Sequence, residues 1–193
     1  MKEPDGATPL DPDERDGLLF PHIDTRGELD QMEQVNIQQG LSWLHNKKLS
    51  NDELLTDSFA RQLHQKLFSD VWKWAGEYRR TEKSIGIAPE QISVQARLLM
   101  DDTRFWVEND TYPAKELALR FHHRLVKIHL FPNGNGRHSR IMADAILTKL
   151  LSTQPIEWGG RNLTKAGDIR MNYINALRQA DREDYSALFD LYT

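Results

Sequence analysis

The chain has 193 residues, of which 28% are charged, and a formal net charge of −4. This length suffices for one domain with a sizeable core. The small negative charge, without a long basic block, argues against direct binding of nucleic acid. The chain has no cysteine, which excludes disulfides, thiol catalysis and zinc–thiolate sites and fits a cytoplasmic protein. The first residues are polar and acidic, unlike a signal peptide, and no apolar run reaches the roughly 18 residues that span a membrane.

The first quarter of the chain predicts an arm followed by a helix. Residues 1–24 contain four prolines and many acids, so we expect an extended arm, attached to the body through the apolar cluster 18–20. Thr25 and Glu28 have the spacing of a capping box. A helix should therefore run from there to about Asn46, with these candidate core residues: Met32, Val35, Ile37, Leu41 and Trp43.

Apolar residues at spacings of three and four predict a mainly helical remainder. The predicted helices run from about Phe59 to Val71, Ile92 to Glu108, Pro113 to Ile128, Gly136 to Leu151 and Thr164 to Ala180, with a short one over 186–192. In the helix 92–108 the expected buried residues are Val94, Leu98, Leu99 and Trp106.

Residues 79–89 have a different pattern, because Thr81, Ile85 and Ile87 around Gly86 are typical of a short β-hairpin. The predicted fold class is therefore mainly α, a helical bundle with one short hairpin. We expect residues 25–193 to form a single domain behind the arm.

The segment HLFPNGNGRHSR, from His129 to Arg140, joins two of the predicted helices. Gly134 and Gly136 permit backbone angles that other residues avoid, and Asn135 is a favourable N-cap. Successive N–H groups at the start of the next helix can then converge on an anion, and phosphate is the natural guest.

Two arginines follow this loop. Arg137 and Arg140 lie on nearly the same face of the helix that begins there, where their charge opposes the helix dipole. Solvated charges or salt bridges are the simpler interpretation, but clamping of a phosphate explains their placement better.

His129 precedes the loop at the end of a helix, where a histidine often serves only as a partner for the helix dipole. Beside a phosphate site it becomes a candidate general base. His122 lies roughly 10 Å away along the same helix, so the two cannot bind one metal. We interpret His123 and His138 as surface or packing residues. Asn133 points at the same centre, but its amide is a poorer Mg²⁺ ligand than a carboxylate.

These residues resemble the signature of the Fic family, His-x-Phe-x-(Asp/Glu)-Gly-Asn-Gly-Arg with a second Arg three positions on. The matching positions are His129, Phe131, Gly134, Asn135, Gly136, Arg137 and Arg140. The chain departs from the signature at Asn133, where the family usually has an acid. Segments 67–79 (LFSDVWKWAGEYR) and 173–181 extend the resemblance to about residues 50–190 and imply a Fic-type helical bundle with the hairpin as its flap. The segment 6–14 and the LFPN variant of the loop resemble the subgroup called mobile mystery protein B.

The resemblance implies transfer of AMP from ATP to a Ser, Thr or Tyr hydroxyl of a target protein. The resemblance makes His129 the general base. Arg137 would neutralise charge on the leaving pyrophosphate, and Arg140 would bind the γ-phosphate. Mg²⁺ or Mn²⁺ would lie at the Asn133 position, and the α- and β-phosphates would bind Gly134, Asn135 and Gly136. The flap would pair with the target as an added strand through Thr81, Lys83, Ser84, Ile85, Gly86 and Ile87. The related kinases of this fold have Ala and Lys at the positions of Gly134 and Gly136. Glycine at both positions therefore favours nucleotidyl transfer over phosphorylation.

Alternatives remain open from the sequence. Asn133 favours a degenerate Fic domain that binds nucleotide or a partner with little turnover. Another nucleotide donor, or removal of AMP from targets, is a third interpretation. A structural helical module is a fourth, which the intact His129, Arg137 and Arg140 argue against.

The resemblance also implies a bacterial toxin-like enzyme, with a type II topoisomerase as one expected target. Many Fic proteins are silenced by the motif (Ser/Thr)-x-x-x-Glu-(Gly/Asn), whose Glu pairs with the second arginine, here Arg140. The one Glu followed by Gly or Asn in this chain is Glu108, and Arg104 occupies the Ser/Thr position before it. We therefore expect an inhibitory antitoxin in trans, a small protein with a helix-turn-helix.

Overall fold

The computed structural model describes residues 15–20, 22–23, 25–159 and 167–192. These ranges are mainly helical, as predicted. The helices are α1 (Arg26–Asn46), α2 (Asn51–Leu54), α3 (Asp57–Phe68), α4 (Ile92–Glu108), α5 (Ala114–Ile128), α6 (Asn135–Ala145), α7 (Gly167–Ala180) and α8 (Ser186–Asp190). A 3₁₀ turn over Pro89–Gln91 precedes α4, and a π-helical turn over Ile146–Leu150 continues α6. Residues 1–14, 21 and 24 of the predicted arm 1–24, and the predicted start of the helix at Thr164, lie outside the described residues.

The core forms where α3 and α5 pack against their neighbours. α3 packs on α1, α4 and α6, and α5 packs on α4, α6 and the π-helical turn. Phe68, Trp72, Phe121 and Phe131 are the largest of its fully buried side chains. Because Phe131 belongs to the loop between α5 and α6, that loop is anchored in the core.

The predicted capping box at the start of α1 is confirmed. The Thr25 hydroxyl accepts the N–H of Glu28, and the Glu28 carboxylate accepts the N–H of Thr25 at 3.2 Å. Residues 18–20 contact the body through backbone pairing rather than through the predicted apolar cluster, since the Leu19 and Phe20 side chains are exposed. Leu19 N–H donates to the carbonyl of Val71 at 2.9 Å, and Leu18 forms an isolated antiparallel bridge with Trp72.

Four predicted core residues are exposed instead, namely Val35, Leu41, Val94 and Leu98. In α1 the buried face contains two polar residues, Glu33 and Asn36, whose hydrogen bonds to other elements permit their burial. Met32, Ile37 and Trp43 pack against the core as predicted, so an assignment based on apolar residues alone was wrong in α1 only for Val35 and Leu41. In α4 the buried residues are Ile92, Ala96, Leu99, Met100 and Thr103, which leaves Val94 and Leu98 on the far side.

The helix predicted to reach Val71 ends at Phe68. The Asn36 side chain bonds the backbone at this end, since its Oδ1 accepts the N–H of Asp70 at 2.9 Å and its Nδ2 donates to the Lys66 carbonyl at 3.3 Å. These contacts supply partners at a helix end, where the backbone otherwise lacks them.

The predicted β-hairpin over 79–89 is wrong, because residues 79–88 form no strand. The Arg79 guanidinium donates hydrogen bonds to the carbonyls of Thr81 and Ile87. A side chain therefore occupies acceptors that a hairpin ladder would use. No helix in the described part of the chain is long and apolar enough to cross a membrane.

The packing of α1 on α3 generates a stability prediction. A Cβ added at Gly40 would lie 2.7 Å from the Lys66 carbonyl oxygen and 2.8 Å from a Leu67 methyl group. We expect Gly40→Ala to lower the free energy of unfolding by about 1–3 kcal/mol, since overpacking outweighs the higher helix propensity of alanine. Urea denaturation measures this change. Gly27→Ala in the same helix is the control, because a Cβ there meets nothing within 4 Å. Equal stabilities of the two variants would contradict the prediction.

Candidate active site

His129 ends α5 in a left-handed backbone conformation, with φ 57° and ψ 66°. Its N–H still donates to the Leu125 carbonyl at 3.2 Å. Such a conformation is uncommon for a residue with a Cβ and costs roughly 1–3 kcal/mol. The surrounding contacts must therefore impose it, and it sets the direction in which the imidazole leaves the helix.

The imidazole of His129 is half-buried. Burial, with a further contribution from the positive charges of Arg79 and Lys83, lowers the pKa of His129 to about 4. The ring is therefore neutral at pH 7 and has a lone pair that can accept a proton, as a general base requires.

The side chain of Asn135 closes the loop that follows. Its Oδ1 accepts the N–H of Phe131 at 2.9 Å, and its Nδ2 donates to the Phe131 carbonyl at 2.7 Å. The prediction that Asn135 is the N-cap of α6 is wrong. Gly134 occupies that position and Asn135 is the first helical residue, because its amide is engaged with the preceding loop.

The two glycines of the loop have different roles. Gly134 has φ +77°, and a Cβ there would lie 2.7 Å from the Phe68 ring, so glycine is required. Gly136 has no positive φ, and a Cβ there would meet nothing within 4 Å. The expectation of unusual angles at both is right for Gly134 only. The open space at Gly136 leaves the N-terminus of α6 approachable by an anion.

His64 of α3 packs against this loop and forms a hydrogen bond with it. The sequence did not lead us to predict this role. Its ring stacks on Phe131, with centroids 3.7 Å apart. Its Nδ1 accepts the N–H of Gly76 at 3.0 Å, so Nε2 carries the proton and donates to the Asn133 carbonyl at 3.1 Å. Burial, then the neighbouring His138, lowers the pKa of His64 well below 6.5, which keeps this tautomer neutral. A histidine next to the apolar stripe of α3 was the available signal.

Arg137, in the first turn of α6, is paired with Glu33 of α1. The Arg137 Nη1 lies 2.7 Å from Oε2 of Glu33, and the other Glu33 oxygen accepts the Trp72 indole N–H at 2.7 Å. Glu33 is 1% exposed, whereas the Arg137 side chain is 36% exposed. One edge of the guanidinium is therefore fixed while the rest can reach a ligand. Sequence reasoning missed Glu33, since an acid in α1 gave no sign of burial.

Arg140 lies against two aromatic rings. Its guanidinium carbon is 4.9 Å from the Tyr173 ring centroid and 5.9 Å from that of Trp158. The Trp158 indole donates to Asp144 at 2.9 Å, and the Tyr173 hydroxyl lies 2.9 Å from His122 Nε2. Burial first, and the charge of Arg140 second, lowers the pKa of His122 to about 3. Sequence reasoning missed Trp158 and Asp144.

His123 and His138 are packing residues, one of the two roles expected for them. His138 Nε2 lies 2.8 Å from the Ala60 carbonyl. His123 lies 3.1 Å from both the Tyr185 hydroxyl and an Asp181 carboxylate oxygen, so it joins α5 to the C-terminal helices.

The flap segment, residues 79–89, packs against His129 although it forms no hairpin. Gly86 has φ +103°, and a Cβ there would lie 2.7 Å from the His129 Cβ. Of the predicted flap residues, the exposed ones are Thr81, Ser84, Ile85 and Gly86, and the partly buried ones are Lys83 and Ile87. The structure thus brings the flap and the candidate base together.

Asn133 does not offer an ordinary site for Mg²⁺. Its amide oxygen accepts the N–H of Gly134 at 2.6 Å, and Mg²⁺ prefers carboxylate ligands. Within the described ranges, no group of three or more His, Asp and Glu side chains could hold a metal ion. The side chains at this position therefore fit the implied metal poorly.

Residues 54–147 match the model of the Fic/DOC family. A protein adenylyltransferase Fic from Nematostella vectensis is 26% identical over 129 residues, which are 63% of this chain and 29% of that protein. The chain covers between 19% and 36% of the length of four curated relatives that it matches.

Two solved structures extend the similarity beyond the matched segment. A Fic domain-containing signaling protein from Bacteroides thetaiotaomicron superposes with a TM-score of 0.65 at 25% identity, covering 80% of this chain and 60% of that one. BepC from Bartonella tribocorum, with bound AMPPNP, has a TM-score of 0.68 at 16% identity, covering 88% and 86%. The signature loop, the fold and these matches identify residues 54–147 as a Fic/DOC-family domain.

The position of Asn133 generates a prediction about metal. Asn133→Asp should strengthen Mg²⁺ binding in the presence of ATP by about tenfold, because a carboxylate adds charge at the metal position. Titration of Mg²⁺ against the protein with ATP measures this change. Asn109→Asp, the same change at an exposed site, is the control. If Asn133→Asp binds Mg²⁺ no better than this control, residue 133 is not a metal ligand.

Proposed function

We propose that this chain is a protein adenylyltransferase, which transfers AMP from ATP to a hydroxyl side chain of a target protein. The observation that carries the proposal is a neutral His129 followed, on one short loop, by the glycine turn at the N-terminus of α6. The name of the Nematostella relative supports the reaction, and AMPPNP bound to the Bartonella protein supports ATP as the donor.

In the proposed reaction His129 takes the proton of a Ser, Thr or Tyr hydroxyl while the hydroxyl oxygen attacks the α-phosphorus of ATP. The bond from that phosphorus to the target oxygen forms, the bond to the bridging oxygen of the β-phosphate breaks, and pyrophosphate leaves. N–H groups at the start of α6 stabilise charge on the α- and β-phosphates. Arg137 neutralises charge on the pyrophosphate, and Arg140 binds the γ-phosphate.

A second candidate function is nucleotide binding with little turnover. Asn133 favours it, because the position lacks the carboxylate that would hold a metal next to the diphosphate. Weak transfer by the natural chain, together with a clear gain in the Asn133→Asp variant, would support this second candidate.

We predict that His129→Ala lowers the rate of AMP transfer at least about 100-fold, because the base acts on the target hydroxyl. The affinity for ATP should change by no more than about twofold, since the phosphates bind elsewhere. Labelling with α-³²P-ATP and calorimetry measure the two quantities. With a pKa of about 4 for the base, the natural chain should lose activity on acidification only near pH 4. Loss of ATP binding in a folded variant would give His129 a structural role instead.

We also propose a separate inhibitory protein. Within the described residues Glu33 forms an ion pair with Arg137, whereas Arg140 lies against two rings, with Asp144 as a nearby negative charge. An antitoxin carboxylate directed at Arg140 would obstruct the γ-phosphate. The resemblance of residues 6–14 to mobile mystery protein B favours a small helix-turn-helix partner and a toxin-like role, with a type II topoisomerase as one target.

Expression in bacteria with and without the neighbouring gene tests this partner. We expect the chain alone to slow growth and the co-expressed product to co-purify with it and restore growth. His129→Ala expressed alone is the control and should be harmless. A harmless natural chain that neither labels proteins nor binds the neighbouring product would contradict the proposal.

A further inference from the structure

We propose that Arg79 is a positioning residue that couples the flap to His129 through main-chain carbonyls. It lies outside the signature loop and is not among the flap residues predicted to pair with the target. The inference rests on the proposed function for the role of His129, and it names a new residue for that same site.

Arg79 is 3% exposed, which is unusual for an arginine. Its side chain donates to four carbonyl oxygens. Nε reaches His129 at 2.7 Å, Nη1 reaches Thr81 at 2.9 Å, and Nη2 reaches Ile87 and, at 3.5 Å, Ile128. A planar guanidinium with five N–H donors can hold several acceptors in a fixed arrangement, which the amine of a lysine cannot.

These carbonyls belong to two separate parts of the site. Thr81 and Ile87 lie at the two ends of the flap, so the guanidinium closes it as a loop. Ile128 and His129 lie at the end of α5, where helix carbonyls lack intrahelical donors. The backbone adds a further link, since the Arg79 N–H donates to the Leu130 carbonyl at 2.9 Å. One residue therefore fixes both the flap and the left-handed turn at His129.

Gly86 brings the two parts into contact. A Cβ at this position would lie 2.7 Å from Arg79 Nη2 and 2.7 Å from the His129 Cβ. The flap backbone at Gly86 therefore packs against the Cβ of His129. A target segment held by the flap would have its hydroxyl aligned with His129 only while this arrangement is rigid. The positive charge of Arg79 also helps to lower the pKa of His129, after burial.

The nucleotide side of the site has other supports. Arg137 is fixed by Glu33, and the loop is fixed by Asn135 and His64. Loss of Arg79 should therefore impair the alignment of the target without impairing the binding of ATP. A residue that merely stabilised the fold would affect both.

The test uses Arg79→Met, which removes the charge and the donors, and Arg79→Lys, which keeps the charge. Arg80→Met is the matched control. The Arg80 side chain is exposed, and its ion pair with Glu77, at 3.8 Å, is exposed as well. In both Arg79 variants we expect amide hydrogen exchange over residues 80–88 to accelerate about tenfold or more. The pKa of His129, followed by NMR, should rise by about one unit in Arg79→Met and by less in Arg79→Lys. The affinity for ATP should stay within about twofold, and the control should match the natural chain throughout.

An unchanged His129 titration together with unchanged flap exchange in Arg79→Met would overturn the proposal. A parallel loss of ATP affinity would overturn it too, because Arg79 would then support the site as a whole. In an active protein, Arg79→Lys should lower kcat for protein labelling and leave KM for ATP unchanged. If the natural chain transfers no AMP, the proposed function fails, while hydrogen exchange and NMR still decide the coupling.

Discussion

The two hydrogen bonds between the Asn135 side chain and the main chain of Phe131 fix the turn on which the whole site depends. Phe131 is fully buried, so its N–H and carbonyl would each cost roughly 1–3 kcal/mol without a partner. Satisfying both from one amide locks the loop into a single shape. That shape puts Gly134 in its left-handed conformation and starts α6 with its first N–H groups towards open space.

The elements around this turn each contribute one contact that orients a site residue. α3 supplies His64, which holds the loop carbonyl of Asn133, and α1 supplies Glu33, which holds Arg137. Trp158, fixed by Asp144, lies against Arg140. These supports are buried or aromatic rather than exposed ion pairs, so salt should screen them little. These supports orient the arginines for phosphate binding before any ligand binds, so the site is preorganised.

In the flap one buried charged side chain, that of Arg79, overrides the local preference for a β-hairpin. The residues around Gly86 have the β-branched pattern of a hairpin, yet Arg79 takes the Thr81 and Ile87 carbonyls and ties them to the end of α5. Nothing local to residues 79–89 distinguishes this arrangement from a hairpin, because the deciding acceptor at His129 is 50 residues away in the chain. The same contact connects the segment expected to meet the target with the candidate base.

The sequence alone determined the helical class, the capping box at Thr25, the bounds of α4 and the loop from His129 to Arg140, because helix periodicity, capping chemistry and a dense motif are local properties. Only the tertiary structure decided which polar residues are buried. Glu33 and Arg79 carry no local mark of their roles, and His64 carries only its place beside the apolar stripe of α3, since each acquires its function from a partner at least 50 residues away. The burial of a polar side chain is favourable only when a distant element supplies its hydrogen bond, and that pairing exists only once the chain has folded.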